Sequence, residues 1–527
     1  MCPVTRTPHR CLALCSSSRL RAGLTAPGED TGQQEQVQDG TAKARIEGMG
    51  RIAARGGMVT LGGQGGSFVL QLISLVVLSH LLTPTDFGTF AMVTAIVGVG
   101  EVLRDFGLSS AAVQAPSLSK QQRSNLFWLN LAIGVALGVI VFFLAGPISA
   151  FYGNPGLMSI TQWLSLTFVF NGVGTQYGAS LVRGFRFGTL AWTDLLAVGL
   201  AFGASTTVAL MGAGTAALVT QALAYSALVS LLRVASSRWL PTFPRSAPMR
   251  SLLSYGGNLM GTQLIGYASR NIDSVIVGWK FGAVPLGIYN RAFQLLTAPL
   301  NQISAPLTKV ALPVFARLAP DHHRFTGALV RTQCVLAYAV VTVFAVLFTV
   351  ADSLVLLLFG DQWTAVPPVF RILALAGVFQ IFSYSSYWVF LAKGLVNWNL
   401  RYAMVSRVIV IGAIVIGSFW GYLGVAAGYA ISLAILWPIC QWWIGLKVDM
   451  PQRALFGVGG RALLVGAAGV FVGLLVLRWF PTPGIVQLMV GTFATLLGSG
   501  LVVAVHRRFR ADLWTVTSVV QLMYRKN

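Results

Sequence analysis

Acidic side chains number only 15 in 527 residues, and charged residues of all kinds make up 10%. An ordinary soluble domain carries roughly 25% charge, so this scarcity excludes a water-soluble fold. The five cysteines, Cys2, Cys11, Cys15, Cys334 and Cys440, include no CxxC spacing. That pattern excludes a disulfide framework and a zinc site. Histidine is equally rare, with five in the chain, and no cluster of His, Cys and acids has ligand spacing. Neither a metal nor a cofactor is expected. No Walker A segment is present, which excludes ATP hydrolysis by the chain itself, and "GAGTAALV" lacks the βαβ context of a dinucleotide site. No nucleophile stands beside a base, so the chain is read as a non-enzyme. The N-terminal stretch "CLALC", set between Arg10 and Arg19, is too short for a signal peptide.

What remains is apolar. The chain is 55% hydrophobic, with a mean hydropathy of +0.72. Its 37 Lys and Arg give a formal charge of +22, but these residues lie between hydrophobic runs rather than on one basic face. That placement argues against nucleic acid and for cytoplasmic loops of a membrane protein. Residues 1–55 are polar and read as a disordered cytoplasmic tail. Met49 and Met58 lie just before the first apolar run, and either offers an alternative start.

A membrane-spanning helix needs about 20 mostly apolar residues. Six such runs fall at 58–82, 88–112, 125–145, 159–180, 190–211 and 213–233. Six more fall at 253–277, 285–309, 329–350, 368–391, 402–418 and 423–445, and a last two at 459–478 and 484–505. If the tail is cytoplasmic, alternation puts Lys120, Arg123, Arg183 and Arg186 inside, as it does Arg245, Arg250, Arg317, Arg324, Lys393, Arg401, Lys447, Arg453 and the Arg507–Arg510 cluster. The outside keeps only Lys280 and Arg478 beside Asp86, Asp352 and Asp361. This is a regular positive-inside pattern, with both termini cytoplasmic. The external loops are short and leave no room for an external catalytic domain.

Weak internal echoes divide the chain. "PTDFGTFAM" leads into the second run and "VPLGIYNRAF" into the eighth, each with a Gly two residues before an aromatic: Gly88 and Phe90, Gly287 and Tyr289. "AFYGN" recurs as "LLFGD", and "SLVRGF" as "FLAKGL", with offsets of about 200 to 210 residues. An even number of spans separates each pair, so the halves share one orientation. They imply two lobes related by a pseudo-two-fold along the membrane normal, with a cavity between them. The expected organisation is a tail (1–55), an N-terminal six-helix lobe (56–235), a basic cytoplasmic linker (236–252) and a C-terminal six-helix lobe (253–446). Residues 447–527 are expected to hold two extra helices and a cytoplasmic C-terminus. The fold class is therefore all-α and integral to the membrane, with about fourteen transmembrane helices.

Within the runs lie Glu101, Arg104, Asp105, Asp194, Arg270, Asp273, Arg291, Arg331, Arg371 and Arg407. Charge at the bilayer centre costs roughly 2.5–3.5 kcal/mol per residue on insertion scales, so these groups face a cavity or a partner. Glu101 and Arg104, like Arg270 and Asp273, are three apart on one helical face, and each pair can neutralise itself as a packing clamp. Asp105 and Arg331 lie near cytoplasmic ends, where a side chain reaches the headgroups. Arg270 and Arg291 sit deeper on consecutive helices, and a guanidinium suits a phosphate or diphosphate through its forked donors. The cationic surplus argues for an anionic cargo.

"LSHLLTPTDFGTFAMV", "YASRNIDSVIVGWKFGAVPLGIYNRAFQLLTAPLNQ" and "FGDQWTAVPPVFRILALAGVFQ" resemble the polysaccharide-exporter branch of the multidrug/oligosaccharidyl-lipid/polysaccharide superfamily, from about residue 58 to residue 400. The resemblance implies two six-helix bundles around a central cavity. It also implies flipping of undecaprenyl-diphosphate-linked oligosaccharide from the inner to the outer leaflet of a bacterial plasma membrane, by alternating access. The partners would be that lipid-linked oligosaccharide, the bilayer and other polysaccharide-assembly membrane proteins. In this reading Arg270 holds the diphosphate. Asp273 holds Arg270 and offers a proton-exchange site, and Asn271 meets sugar or a neighbouring helix. Arg291, Arg104 and Glu101 complete the expected cavity. The alternatives are a drug or cation exporter of the same superfamily, disfavoured by the arginine surplus, and a peptidoglycan-precursor flippase. A multi-spanning glycan polymerase is disfavoured by the short external loops.

Overall fold

The computed structural model describes residues 62–237, 239–480, 483–505 and 507–524. The expected tail at 1–55 lies outside the described residues. The elements are α1 (Gly62–Leu81), α2 (Pro84–Asp105), α3 (Leu108–Gln114), α4 (Lys120–Tyr152), α5 (Leu157–Arg183), α6 (Phe187–Leu210) and α7 (Thr215–Ser236). They continue with α8 (Arg250–Phe281), α9 (Ala283–Leu318), α10 (His322–Thr349), α11 (Ala351–Phe359), α12 (Val366–Ala392) and α13 (Val396–Gly417). The last are α14 (Gly421–Gly445), α15 (Gln452–Leu477), α16 (Ile485–Val505) and α17 (Arg507–Tyr524). No strand occurs among the described residues.

The termini follow local chemistry. Thr83 and Asp86 form a capping box at the start of α2, with Pro84 at the first helical position, where a missing N–H costs nothing. Ser119 and Gln122 do the same for α4. Phe106 (φ 45°) and Gly107 (φ 62°) break α2 from α3.

Each apolar run of the sequence coincides with a long helix. Ten described segments are long and apolar enough to cross a membrane, one of them, 396–445, containing both α13 and α14. Three further long helices, α5, α8 and α9, are not among those segments. These three carry Asn171, Arg270, Asp273 and Arg291, and such polar and charged side chains dilute their hydropathy.

Helices α2 and α4–α7 pack together, and so do α8–α10 and α12–α14; α15 and α16 lie against α10. The two bundles meet where α2 crosses α8 and α9. At the charge-poor end of this seam the echoed glycines approach reciprocally. A Cβ on Gly88 would stand 1.7 Å from the Ala283 carbonyl oxygen, and one on Gly287 would stand 2.1 Å from that of Pro84. Each glycine admits the first turn of the other bundle's helix, as expected if a two-fold passes through the crossing. Farther along, Tyr267 of α8 donates its hydroxyl to the Thr94 carbonyl (3.0 Å). Near the basic end, Gly107 and Gly256 pass closely.

The stretch 351–367 holds helix α11 and a 3-10 turn, Asp361–Trp363. Residues after α16 form a further helix, α17.

A candidate cavity between the two bundles

A cavity of about 500 Å³ lies between α1, α2, α7 and α9, with Gln71, Ser74, Gln221, Asn290, Arg291 and Gln294 supplying much of its polar lining. Arg291 is only 5% exposed. Its guanidinium carbon sits 3.6 Å from the centroid of the Phe87 ring, with Trp363 at 5.5 Å and Phe359 at 5.6 Å. Nη1 donates to Gln294 Oε1 (2.7 Å), while Nε is buried without a partner. Aromatic faces attract a cation but take none of its N–H hydrogen bonds. The arginine is therefore held in place electrostatically while keeping donors unspent. A buried donor without an acceptor is costly, which favours a site that an acceptor-rich ligand completes. Nearby, Gln221 Nε2 donates to Ser74 Oγ (2.7 Å) and ties α7 to α1.

The charge-poor end of this cavity is latched. Gln362 Nε2 donates to the carbonyls of Ser79 (2.6 Å) and Leu82 (2.9 Å), and Trp363 Nε1 donates to Ser79 O (2.9 Å). The last carbonyls of a helix have no partner inside it. Here the end of α1 is capped by residues belonging to the other half of the chain. Trp363 also packs on Phe87, with centroids 5.5 Å apart. Sequence reasoning missed this latch. "FGDQW" is legible as part of a family-like block, but a tryptophan in a short interhelical segment gives no hint of what it caps.

The other expected site residues fall in different surroundings. Glu101 and Arg104 close on each other (2.9 Å), and Arg104 also donates to Thr175 Oγ1 (2.7 Å). Asn171 donates to Glu101 (3.2 Å), so the pair clamps α2 to α5. Glu101 borders a neighbouring cavity of about 350 Å³ that shares Thr94 with the first, and Arg104 borders one of about 450 Å³.

Arg270 and Asp273 do not form the expected pair. Asp273 is 4% exposed, and it accepts from Tyr289 Oη (2.8 Å) and from the Ser274 amide (2.8 Å). Arg270 is exposed, with its guanidinium beside Gly266. Residues three apart differ by about a sixth of a turn, which lets a short carboxylate enter the bundle while the longer arginine stays at its edge. Asn271 donates to its own helix at Tyr267 O (2.9 Å). Asp273 connects to the main cavity indirectly: Ser274 Oγ donates to Asn290 Oδ1 (3.1 Å), and Asn290 lines the wall. Among the described residues no group of three or more His, Cys, Asp or Glu could hold a metal.

Two helical bundles, spanning segments and a polar, arginine-bearing cavity between them define a multi-pass membrane transporter. The family described as polysaccharide biosynthesis protein matches residues 77–368, and the chain belongs to it. The chain is 27% identical to the teichuronic acid biosynthesis protein TuaB of Bacillus subtilis over 76% of its own length and 84% of that protein's. It is 25% identical to the lipopolysaccharide biosynthesis protein WzxC of Escherichia coli, covering 72% and 77% respectively. Among solved structures it is similar to the lipid II flippase MurJ in an inward closed conformation. The TM-score is 0.64 at 13% identity, over 84% of this chain and 98% of that one.

Proposed function

We propose that this protein flips a diphosphate-linked, lipid-borne oligosaccharide from the cytoplasmic to the outer leaflet of a bacterial plasma membrane, by alternating access of its two bundles. One observation carries the reading. Arg291 is buried in the wall of the inter-bundle cavity with Nε unpartnered, among amide and hydroxyl side chains suited to sugar. Cation and amides together fit a polar anionic cargo better than a hydrophobic drug cation. The names of TuaB, WzxC and MurJ support the same class of cargo.

The proposed division is a tail at 1–55, lobes at 56–235 and 253–446 joined by the linker 236–252, and an appendage at 447–527, with both termini cytoplasmic. The charge-poor end then faces outward. The glycine seam and the Gln362–Trp363 latch close the cavity from outside, and release follows their opening. Arg291 is the principal anion ligand and Arg270 a second contact at the bundle edge. Asp273 and Asn271 set the shape of α8 around them. Glu101 and Arg104 brace the N-terminal wall.

The test compares Arg291→Ala, Arg291→Lys and wild type in a strain lacking the chromosomal copy, following lipid-linked oligosaccharide in each leaflet. Arg291→Ala should trap the oligosaccharide on the cytoplasmic face while the protein stays in the membrane, and Arg291→Lys should restore part of the flow. Normal outward transfer by Arg291→Ala would end the assignment.

A further inference from the structure

Beside the cavity that holds Arg291 lies a second, of about 350 Å³, walled by three helices of the N-terminal bundle and by Tyr267 of α8. Helix α2 contributes Thr94, Gly98 and Glu101 at i, i+4 and i+7, and α5 contributes Thr167 and Asn171 at i and i+4. Helix α7 adds Ala222, Tyr225 and Ser226 at i, i+3 and i+4. Each set is a stripe along one helical face, so three faces converge on the same space. The Tyr267 hydroxyl is fixed on the Thr94 carbonyl (3.0 Å), and Gly98 leaves room for the phenol, since a Cβ there would overlap Oη. Thr94 borders both cavities. Along α2 the first cavity is bounded by residues 87–94 and the second by residues 94–101, which offsets them by about 10 Å at the helical rise.

The two cavities offer opposite halves of the hydrogen bond. At Arg291 the unspent group is an N–H donor. In the second cavity acceptors predominate. Arg104 takes one oxygen of Glu101 (2.9 Å) and balances its charge, and Asn171 donates to the other (3.2 Å). A carboxylate has about four lone-pair positions, so acceptor capacity remains. Thr94, Thr167 and Ser226 send their protons to carbonyls of their own helices, at Phe90 (3.0 Å), Leu164 (2.6 Å) and Leu223 (3.0 Å). Their oxygens stay available. Asn171 Oδ1 and the Tyr225 hydroxyl have no hydrogen-bond partner among the described residues. Such a wall suits a ligand rich in O–H donors, and its carboxylate repels a phosphate. The two tyrosines, one from each bundle, add apolar surface for the C–H groups of a ring.

We propose that this second cavity is a sugar subsite, which takes a sugar residue of the cargo by its hydroxyl groups while Arg291 holds the diphosphate. The inference rests on the transport reading above and divides the cargo between the bundles: the diphosphate goes to α9, and the sugar to α2, α5 and α7. Asn171, Tyr225 and Ser226 are its hydrogen-bonding residues, with Glu101 held in place by Arg104. Because Tyr267 belongs to the other bundle, the subsite is complete only while the bundles are closed on each other.

The test measures the affinity of the purified full-length protein for two probes in micelles. One is undecaprenyl diphosphate, which carries no sugar; the other is the undecaprenyl-diphosphate-linked oligosaccharide extracted from cells lacking the transporter. Asn171→Ala and Tyr225→Phe should each weaken binding of the sugar-bearing probe about 3- to 10-fold, the worth of one hydrogen bond, and leave undecaprenyl diphosphate unchanged. Ala222→Phe, which adds a ring at the same wall, should show the same split, whereas Arg291→Ala should weaken both probes. Unchanged binding of the sugar-bearing probe in all three wall variants would overturn the subsite and leave the transport reading standing on Arg291. Equal losses for both probes in those variants would also overturn it, because a merely structural change acts on both alike. Failure of the wild type to bind either probe, or unchanged binding of both by Arg291→Ala, would overturn the transport reading and this inference with it.

Discussion

A single methyl group at the glycine seam should change which side of the membrane the cavity faces. In Gly88→Ala the new Cβ would sit 1.7 Å from the Ala283 carbonyl oxygen, and in Gly287→Ala it would sit 2.1 Å from that of Pro84. Both obstacles are backbone, so neither can rotate aside, and the crossing of α2 over α9 must spread. Overpacking of this kind costs about 1–3 kcal/mol. That cost falls on the conformation in which the seam is closed and is relieved when it opens, so the open population should rise about 5- to 150-fold. The assay places a single reporter, Thr94→Cys, in the cavity wall of a protein whose five natural cysteines are alanine. A membrane-impermeant maleimide is then added from outside. Gly88→Ala and Gly287→Ala should each accelerate labelling by about that factor. Gly261→Ala, where a Cβ meets nothing within 4 Å, controls for helix propensity and should leave the rate unchanged. Unchanged labelling in both seam variants, with the protein folded and in the membrane, would refute the link between seam and access.

Gln362→Ala removes two hydrogen bonds from the end of α1, taking the side-chain donor from Leu82 O and leaving Ser79 O with Trp363 Nε1 alone; external labelling of the same reporter should rise, as about 1–3 kcal/mol is withdrawn from the closed state. Trp363→Phe deletes one of the latch bonds and should give a smaller effect in the same direction. Glu101→Gln leaves Arg104 without its counter-charge and should lower the unfolding midpoint, and a cycle with Arg104→Met should show a coupling of about 0.5–3 kcal/mol. Tyr289→Phe strips Asp273 of a buried donor and should cost about 1–3 kcal/mol of stability, whereas Asn271→Ala, which loses only a bond to its own helix, should cost less.

Much of the fold was legible because insertion into lipid is a local property of each segment. Twenty apolar residues satisfy their own backbone as a helix wherever they lie, and arginines between them report the side. The helix positions followed from that, and so did the paired glycines 88 and 287 as marks of an internal echo. Helices α8 and α9 were legible as the apolar runs 253–277 and 285–309 despite the charges they carry. Helix α17 escaped because its apolar residues are too few to stand out, and its helicity depends on packing Phe509 and Val516 against α10 and α16.

The sequence by itself determined an all-α membrane protein, its internal echo and a set of costly charges that had to face something other than lipid. Only the tertiary structure decided what they faced. Spacing of three residues allows Asp273 to meet Arg270, but the carboxylate turned inward to Tyr289, sixteen residues later on another helix. Arg291 stood out in the sequence as a deep arginine suited to a diphosphate, but that α2 lays Phe87 over it and the loop after α11 brings Trp363 alongside is visible only in the fold. Pairing between side chains on different helices depends on the crossing of α2, α8 and α9, and that crossing is set by glycine contacts between segments about 200 residues apart.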